Sequence, residues 1–445
     1  MTPTVGLTVA RYACLMLPLA ALAAAALPGS AALAALRPGA PMPDPARRRR
    51  LHGAGLLSFV AAATGIAALD AVAQGLGWWS YAPVDAAWRG LPVDLWLGWA
   101  VLWGPVPVLA HRVLRTPVAL LLLLWLDLLA MPRLDPLVEL GPHWWLGELA
   151  GIVAVALPAQ LLGRWTARDL RLYPRALLQL TTFAGTVLWL IPTTAFTYGD
   201  GSWGHLWRLP SGVLPLLAQL AALVSVPALA AMREFAVRGH GTPYPWDPPK
   251  RLVITGPYAY LANPMQLSAS LLLVVLAVGA ASATLAVAAV AAVAFSVALA
   301  APHERADLDG RFGHAWRAYR TQVRDWVPRL RPLPQPAATV WLDRDCGPCA
   351  AVTRWLLHRH PAHLVVAAAA DHPQVLWRAR YTGPDGHHAR GAAAIARALE
   401  HTHLGWAYLG WLLLLPPVAW LAQQLTDAFI TAPHPARPET AAHST

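Results

Sequence analysis

Residues 239–264 read GHGTPYPWDPPKRLVITGPYAYLANP, a stretch rich in proline, glycine and aromatic residues, and they lead directly into an apolar run that ends at Pro302. That run is long enough for about two bilayer crossings at ~20 residues each. The small residues of Gly279–Ser282 (GAAS) divide it, which predicts a tight helical hairpin. Because a hairpin returns its end to the side it left, we expect the Gly-Pro-Tyr segment and Glu304 to lie at the same membrane face.

The composition of the chain is that of a membrane protein. Hydrophobic residues make up 57% of the sequence, whereas charged residues make up only 13%; about 25% charge is typical of a soluble domain. The formal net charge of +11 comes largely from arginines in short loops between apolar runs, which indicates membrane topology and argues against nucleic-acid binding. We therefore predict a mainly α-helical, polytopic bundle in the cell membrane, with the lipid bilayer as a partner and no nucleic acid.

The apolar runs predict about nine membrane-spanning helices. The loops between these runs alternate between arginine-rich and arginine-poor, so the positive-inside rule predicts an N-terminus outside the cell and a C-terminus in the cytosol. The predicted spans are Leu7–Leu36, Leu56–Leu76, Val93–Ala110, Pro117–Met131, Trp145–Leu162, Leu177–Ala195, Val213–Ala231, Pro264–Gly279 and Ala283–Ala301.

The N-terminal membrane region, residues 1–209, has no evident role. Asp127 lies in the apolar sequence LLLLWLDLLAM, where a charged side chain is costly and raises a functional hypothesis. We expect Asp127 to face the bundle interior, and we interpret Asp94 and Glu148 as hydrated residues near the interfaces. Separate lipid or carotenoid chemistry in this region is an open alternative.

Several short motifs surround the hairpin in a fixed order. G-x-G-T-P-x-P, PP-x-x-L-V, G-P-Y-x-Y and N-P-M precede it, and Glu304, F-G-x-x-W-x-x-Y and W-V-P follow it. In this order and spacing, residues 213–334 resemble the isoprenylcysteine carboxyl methyltransferase family and its phospholipid-methyltransferase-like relatives. The resemblance implies S-adenosylmethionine as cofactor and a lipophilic methyl acceptor that carries a carboxylate, thiol or amine.

The same resemblance places the cofactor between the hairpin and the cytosolic loops. Methyl transfer from a sulfonium depends on positioning and on exclusion of water more than on a strong base. The resemblance makes Glu304 an expected catalytic residue. Arg305 stands where the family carries a second Glu, and we expect it to act beside Glu304 by anchoring an anionic substrate. Ala262 and Gln266 replace residues that the family carries as Arg and Tyr, so an inactive membrane scaffold or redox-coupled binding protein is the alternative. The residues expected to bind the cofactor are Gly256, Pro257, Tyr258, Tyr260, Asn263, Pro264 and Glu304.

After a proline-rich linker the composition changes to that of a small α/β module. A short apolar strand leads into D-R-D-C-G-P-C at residues 343–349, followed by a helix and a second strand. This segment resembles the DCC family of thiol-disulfide oxidoreductases, which implies a thioredoxin-like domain in the cytosol and a thiol redox partner. The predicted elements are strands Thr339–Leu342 and Leu364–Ala369, helices Ala350–His358 and Gly391–Leu399, and a polar turn region Tyr381–Arg390.

The two cysteines of this motif are the predicted redox pair. Cys346 lies at a helix N-terminus, where the thiolate is favoured, and Cys349 lies about one turn later, where it can resolve a mixed disulfide. A zinc site is the competing interpretation and needs two further ligands; we predict no metal.

We therefore expect four regions. They are the N-terminal membrane region 1–209, the methyltransferase-like core 210–334, the thioredoxin-like domain 335–432 and a disordered tail 433–445. The apolar run Leu404–Leu421 is interpreted as a buried or membrane-surface helix, because Pro416 and Pro417 interrupt it.

Overall fold

The computed structural model describes residues 3–26, 45–111 and 114–436. The chain is mainly helical and divides into two compact units. Unit 1 comprises Met1–Trp207, Tyr244–Pro248 and Leu276–Leu285, and unit 2 comprises Arg208–Pro243, Pro249–Val275 and Ala286–Thr445. The residues predicted as a separate domain from residue 335 belong to unit 2, together with most of the hairpin.

Six helices in the described part of the chain are long and apolar enough to cross a membrane. A pair of helices bent by 90°, Leu404–Leu414 and Pro416–Ile430, raises the number to at most seven. Three of the nine predicted spans are helical but shorter: Val93–Leu109, Pro264–Gly279 and Ala283–Ala298. The first predicted span falls partly outside the described residues. The six helices are Gly6–Ala26, Ala46–Leu76, Thr116–Arg133, Trp144–Arg168, Leu172–Tyr198 and Val213–Gly239.

Unit 1 contains ten α-helices and four short strands among its described residues. The strands pair as two antiparallel ladders, β1 with β4 and β2 with β3. The helices are α1 Pro3–Ala26, α2 Pro45–Leu76, α3 Val93–Trp103, α4 Pro105–Leu109, α5 Thr116–Ala130, α6 Trp144–Gly151, α7 Leu157–Arg168, α8 Leu172–Gly185, α9 Ile191–Tyr198 and α10 Trp203–Trp207; the strands are β1 Trp79–Tyr81, β2 Ala87–Trp88, β3 Leu91–Pro92 and β4 Val138–Leu140.

Close helix packing and buried tryptophans build the core of unit 1. α1 and α3 approach so closely that a Cβ on Gly98 would lie 1.8 Å from the carbonyl oxygen of Cys14. Trp79, Trp88 and Trp103 are all buried in the same cluster. The indole of Trp103 donates to Asp127 at 3.1 Å, and Asp127 is fully buried. Asp127 therefore faces the interior, as expected.

Glu148 departs from the interpretation as a hydrated group, and Asp94, whose side chain is 23% exposed, has a charged partner. Glu148 is 2% exposed. Asp94 forms an ion pair with Arg11 at 2.7 Å. The sequence interpretation placed both near water because it counted distance from the ends of apolar runs. The fold instead turns these side chains toward neighbouring helices.

Unit 2 contains most of the hairpin, the helices around it and a four-stranded sheet. Its helices are α11 Val213–Glu234, α12 Pro264–Gly279, α13 Ala283–Phe295, α14 Ala301–Phe312, α15 His314–Gln322, α16 Gly347–His358, α17 Ala392–Leu399, α18 Leu404–Leu414 and α19 Pro416–Leu425; its strands are β5 Ala338–Leu342, β6 Leu364–Ala368, β7 Arg380–Thr382 and β8 His388–Arg390.

The sheet of unit 2 has the strand order β6-β5-β7-β8. β5 pairs with β6 in parallel, while β7 is antiparallel to both β5 and β8. The predicted strand, helix and strand at the start of this region are present as β5, α16 and β6. The region predicted as a polar turn is a β-hairpin, because β7 and β8 pair across residues 383–387.

The C-terminal helices pack onto the Gly-Pro-Tyr segment inside unit 2. Ala407 and Trp411 of α18 share a buried cluster with Tyr260 and Tyr319. Beyond α19, Ala436 is buried beside Leu376 and donates its backbone N–H to the Leu376 carbonyl at 2.9 Å. The tail predicted as disordered from residue 433 is therefore ordered as far as residue 436, and the rest of it lies outside the described residues.

Candidate functional site

The Gly-Pro-Tyr segment forms a tight 3₁₀ turn, Gly256–Ala259, against the end of α11. Gly256 has a φ of +59°, a conformation that other residues adopt only with strain. A Cβ at this position would lie 2.7 Å from Cγ of Glu234. Glycine is therefore required here for two reasons, and Pro257 follows it as a buried residue.

Tyr258 is a buried residue with an unpaired hydroxyl. Its ring stacks on Phe235 with centroids 4.8 Å apart, and its carbonyl accepts a hydrogen bond of 2.9 Å from the Tyr319 hydroxyl. The Tyr258 hydroxyl has no hydrogen-bond partner among the described residues. Burial raises the pKa of this phenol well above its usual range, so it stays a proton donor.

Tyr260 lies in the packing core of unit 2. It is fully buried, and its hydroxyl donates to the Glu400 carbonyl at 2.9 Å. Its ring meets Trp411 edge-on at 5.5 Å. These contacts of Tyr260 hold α18 in place, and the cofactor contact expected from the sequence stays a prediction.

Asp325 joins the two ends of the hairpin. Its Oδ1 accepts from the amide of Asn263 at 3.2 Å, and its Oδ2 accepts from Arg305 and Arg320 at 2.7 Å each. Asn263 immediately precedes Pro264 and α12, whereas Arg305 lies in α14. The expected meeting of the Gly-Pro-Tyr segment with the residues after the hairpin is thus present, and the residue that joins them was not singled out from the sequence.

Glu304 lies in the first turn of α14 and is exposed to solvent. Desolvation and the charge of Asp325 raise the pKa of its carboxyl group, while Arg320 and Arg305 oppose this shift. The Arg305 side chain is 53% exposed. Glu304 therefore lies on the open side of the site, and Tyr258 on its buried side.

A buried ion network behind the Gly-Pro-Tyr turn was missed by the sequence analysis. Arg397 of α17 is fully buried and donates to both oxygens of Glu400, at 3.1 and 2.9 Å, and to Glu234 at the end of α11. The other oxygen of Glu234 accepts from the Thr255 hydroxyl at 2.8 Å. The network thus ties α11, the Gly-Pro-Tyr turn and α17 together.

Further charges complete the ion network. Arg233 pairs with Glu234 at 3.1 Å, and Arg238 contacts Glu234 and Asp385. Burial raises the pKa of Glu400, while Arg397 opposes this effect. One sequence signal pointed to the network: Arg397 lies between Ala394 and Ala398 on the apolar face of its helix, and a charge there needs a partner.

The predicted redox pair occupies the start of α16. Cys346 is the residue that caps the helix, and Ala350 donates its N–H to the Cys346 carbonyl at 2.8 Å. Both cysteines are free thiols. Burial, contact with Cys346 and the charge of Asp343 raise the pKa of Cys349 to about 12. Cys349 is therefore the thiol that holds its proton.

The segment after α19 covers Cys346. The Cys346 Sγ lies 3.7 Å from the hydroxyl oxygen of Thr431, and only 8% of the residue is exposed. His434 contacts the Asp343 carboxylate at 3.0 Å. Beside Cys349 is a mostly apolar cavity of about 270 Å³, enclosed by α16, α17, α18, α19 and this segment.

Within the described ranges, no group of three or more His, Cys, Asp or Glu residues is arranged to hold a metal ion. Comparison of the chain with protein-family models, curated proteins and solved structures found no match.

Proposed function

We propose that the protein is an integral membrane methyltransferase that uses S-adenosylmethionine and acts on a lipophilic acceptor. The observation that carries the proposal is the meeting of Asn263, Arg305 and Asp325 at the open ends of the hairpin. That meeting puts the Gly-Pro-Tyr turn and the Glu304 segment, the two parts of the family motif, in one place. The acceptor enters from the bilayer, and the cofactor from the cytosol.

The residues present fit the cofactor. When bound, S-adenosylmethionine supplies an activated methyl group on a sulfonium. The carboxylate of Glu304 would accept from its ammonium, and the hydroxyl of Tyr258, which has no partner among the described residues, would donate to one of its oxygens. Arg305 would orient an anionic acceptor, since its side chain remains half-exposed while it pairs with Asp325. Asp325 holds Asn263 and Arg305 close together, because it accepts a hydrogen bond from each of them.

Binding of S-adenosylmethionine to full-length protein in detergent tests this proposal, measured by calorimetry. We expect wild-type protein to bind, and Glu304→Ala and Asn263→Ala to bind at least about tenfold more weakly, because each loses a hydrogen bond to or near a charged group. Asp307→Ala is the matched control, since Asp307 is an exposed acid in the same helix. No binding by folded wild-type protein refutes the methyltransferase and favours an inactive scaffold.

A second activity, thiol-disulfide exchange, is favoured by the placement of Cys346. This cysteine occupies the N-cap position of α16, the end of a helix at which redox-active cysteines are commonly found. The parallel β5-α16-β6 unit and the strand order agree with the thioredoxin-like domain implied by the resemblance. We expect Cys349→Ser to trap a mixed disulfide on Cys346, and Cys346→Ser to trap none; mass spectrometry distinguishes the two.

A further inference from the structure

The cavity beside Cys349 has the character of a small-molecule site. Its volume of about 270 Å³ is roughly nine times the ~30 Å³ that one water occupies in the liquid. The side chains that form most of its wall are apolar, and the sulfur-bearing Cys349 is among them. The main apolar contributors are Val352, Leu376, Ile395, Leu413 and Ala422.

Charged groups are confined to paired positions around the cavity. Arg378 forms two hydrogen bonds to Asp427, at 3.1 and 2.6 Å. Asp343 accepts from His434. Gln423 accepts from the backbone N–H of Ala392 at 2.9 Å. A ligand in this cavity therefore gains little binding free energy from polar groups of its own, and gains most of it by burying hydrocarbon surface.

We propose that this cavity binds the apolar arm of a low-molecular-weight disulfide, so that the Cys346–Cys349 pair reduces small lipophilic disulfides. The inference rests on the thiol-disulfide activity proposed above and specifies its substrate class. The volume suits one alkyl or aryl arm, and Cys349 on the wall places a sulfur next to that arm.

The atoms and electrons of the proposed exchange balance with only the two cysteines and one disulfide substrate. The Cys346 thiolate attacks one sulfur of the disulfide R–S–S–R, forms a mixed disulfide and releases one thiolate, which takes up a proton. Cys349 then loses its proton, attacks the Cys346 sulfur and releases the second R–S–H. The dithiol is oxidised to a disulfide, and the substrate is reduced to two thiols. The apolar arm lies in the cavity beside Cys349 until the second step.

A single-turnover experiment with pre-reduced, full-length protein in detergent tests the cavity. The probes are diethyl, dipropyl and dibutyl disulfide, and mass spectrometry measures the alkanethiol released. The rate at which the protein reduces each disulfide is divided by the rate at which dithiothreitol reduces the same disulfide under the same conditions. This ratio removes differences between the disulfides in intrinsic reactivity and in partition into micelles. Each methylene buried at ~0.8 kcal/mol corresponds to about a fourfold gain, so we expect the ratio to rise on the order of tenfold from ethyl to butyl.

Variants separate the cavity from the thiols. Ala422→Phe fills the cavity and should abolish the dependence on chain length, whereas Leu413→Ala enlarges it and should extend the dependence to dihexyl disulfide. Ala428→Phe is the matched control, because Ala428 is exposed and does not line the cavity. Equal normalised rates for all chain lengths overturn the cavity inference and leave the exchange activity standing. A failure to reduce any disulfide overturns the exchange activity itself.

Discussion

Replacing Arg397 by Met should destabilise unit 2 by about 3–4 kcal/mol. Arg397 is the only partner of both Glu400 oxygens among the described residues. Glu234 also loses Arg397, but it keeps Arg233 at 3.1 Å and the Thr255 hydroxyl at 2.8 Å. Only one buried carboxylate, that of Glu400, therefore loses all its partners. The loss in the free energy of unfolding should lie at the lower end of the ~3–5 kcal/mol typical of a broken buried ion pair.

The assay uses the burial of Cys346 as a reporter. Pulse alkylation of Cys346 in increasing urea follows the opening of unit 2, in a Cys349→Ser background and with mass spectrometry to identify the alkylated peptide. Arg354→Met is the matched control, because Arg354 is exposed on α16 and should change the free energy of unfolding by less than about 0.5 kcal/mol. Adding Glu400→Gln to Arg397→Met should recover part of the loss, since the stranded charge is then absent.

The pH dependence of Arg397→Met gives a second check. Burial already raises the pKa of Glu400, and removal of Arg397 raises it further. The variant can therefore neutralise Glu400 by taking up a proton, and its deficit against wild type should be smaller at pH 5 than at pH 8. A deficit below about 1 kcal/mol at pH 8, or one that equals the Arg354→Met control, would refute this account of the network.

Three further outcomes are expected. Gly98→Ala should lower the melting temperature and destabilise unit 1 by about 1–3 kcal/mol, because its Cβ meets the Cys14 carbonyl at 1.8 Å, whereas Gly6→Ala, with nothing within 4 Å, should not. Gly256→Ala should destabilise unit 2 by at least ~1 kcal/mol in the alkylation assay, and Gly310→Ala in open space should not; equal effects would contradict the strain assigned to the turn. Burial lowers the pKa of His401 to about 4 from the usual 6.5, so at pH 5 the unfolded chain binds a proton that the folded chain does not. The free energy of unfolding of unit 2 should therefore fall by about 1 kcal/mol per pH unit as the pH drops from about 6.5 to 4. His401→Asn should flatten that slope in the same assay.

Features that depend on neighbours along the chain could be predicted from the sequence. The hairpin follows from apolar runs broken by small residues, and α12 and α13 begin at or near the predicted positions. The strand and helix on either side of Cys346 follow from a short apolar run and the C-G-P-C turn. β1 and β4 were missed because each has only three residues, and their pairing of Ser80 with Glu139 joins distant parts of the chain.

The ion network could not be predicted because its members are far apart in the sequence. Arg238 follows the predicted span Val213–Ala231 and so counts as a loop charge in the sequence, yet it is buried and pairs with Glu234 and Asp385. A count of loop charges cannot distinguish an arginine in water from one that a distant carboxylate neutralises. Asp325 escaped notice for the same reason, since its partners come from both sides of the hairpin.

The ion network also has an evolutionary consequence. Three carboxylates and three guanidiniums meet there, so the loss of any one changes the balance of charge in the network. Substitutions should therefore be inherited in opposite-charge pairs, Glu234 changing together with Arg397 and Arg238 with Asp385. A related chain that ends before α17 would lack Arg397, one of the partners of Glu234. In such chains we expect uncharged residues to become more frequent at the position of Glu234.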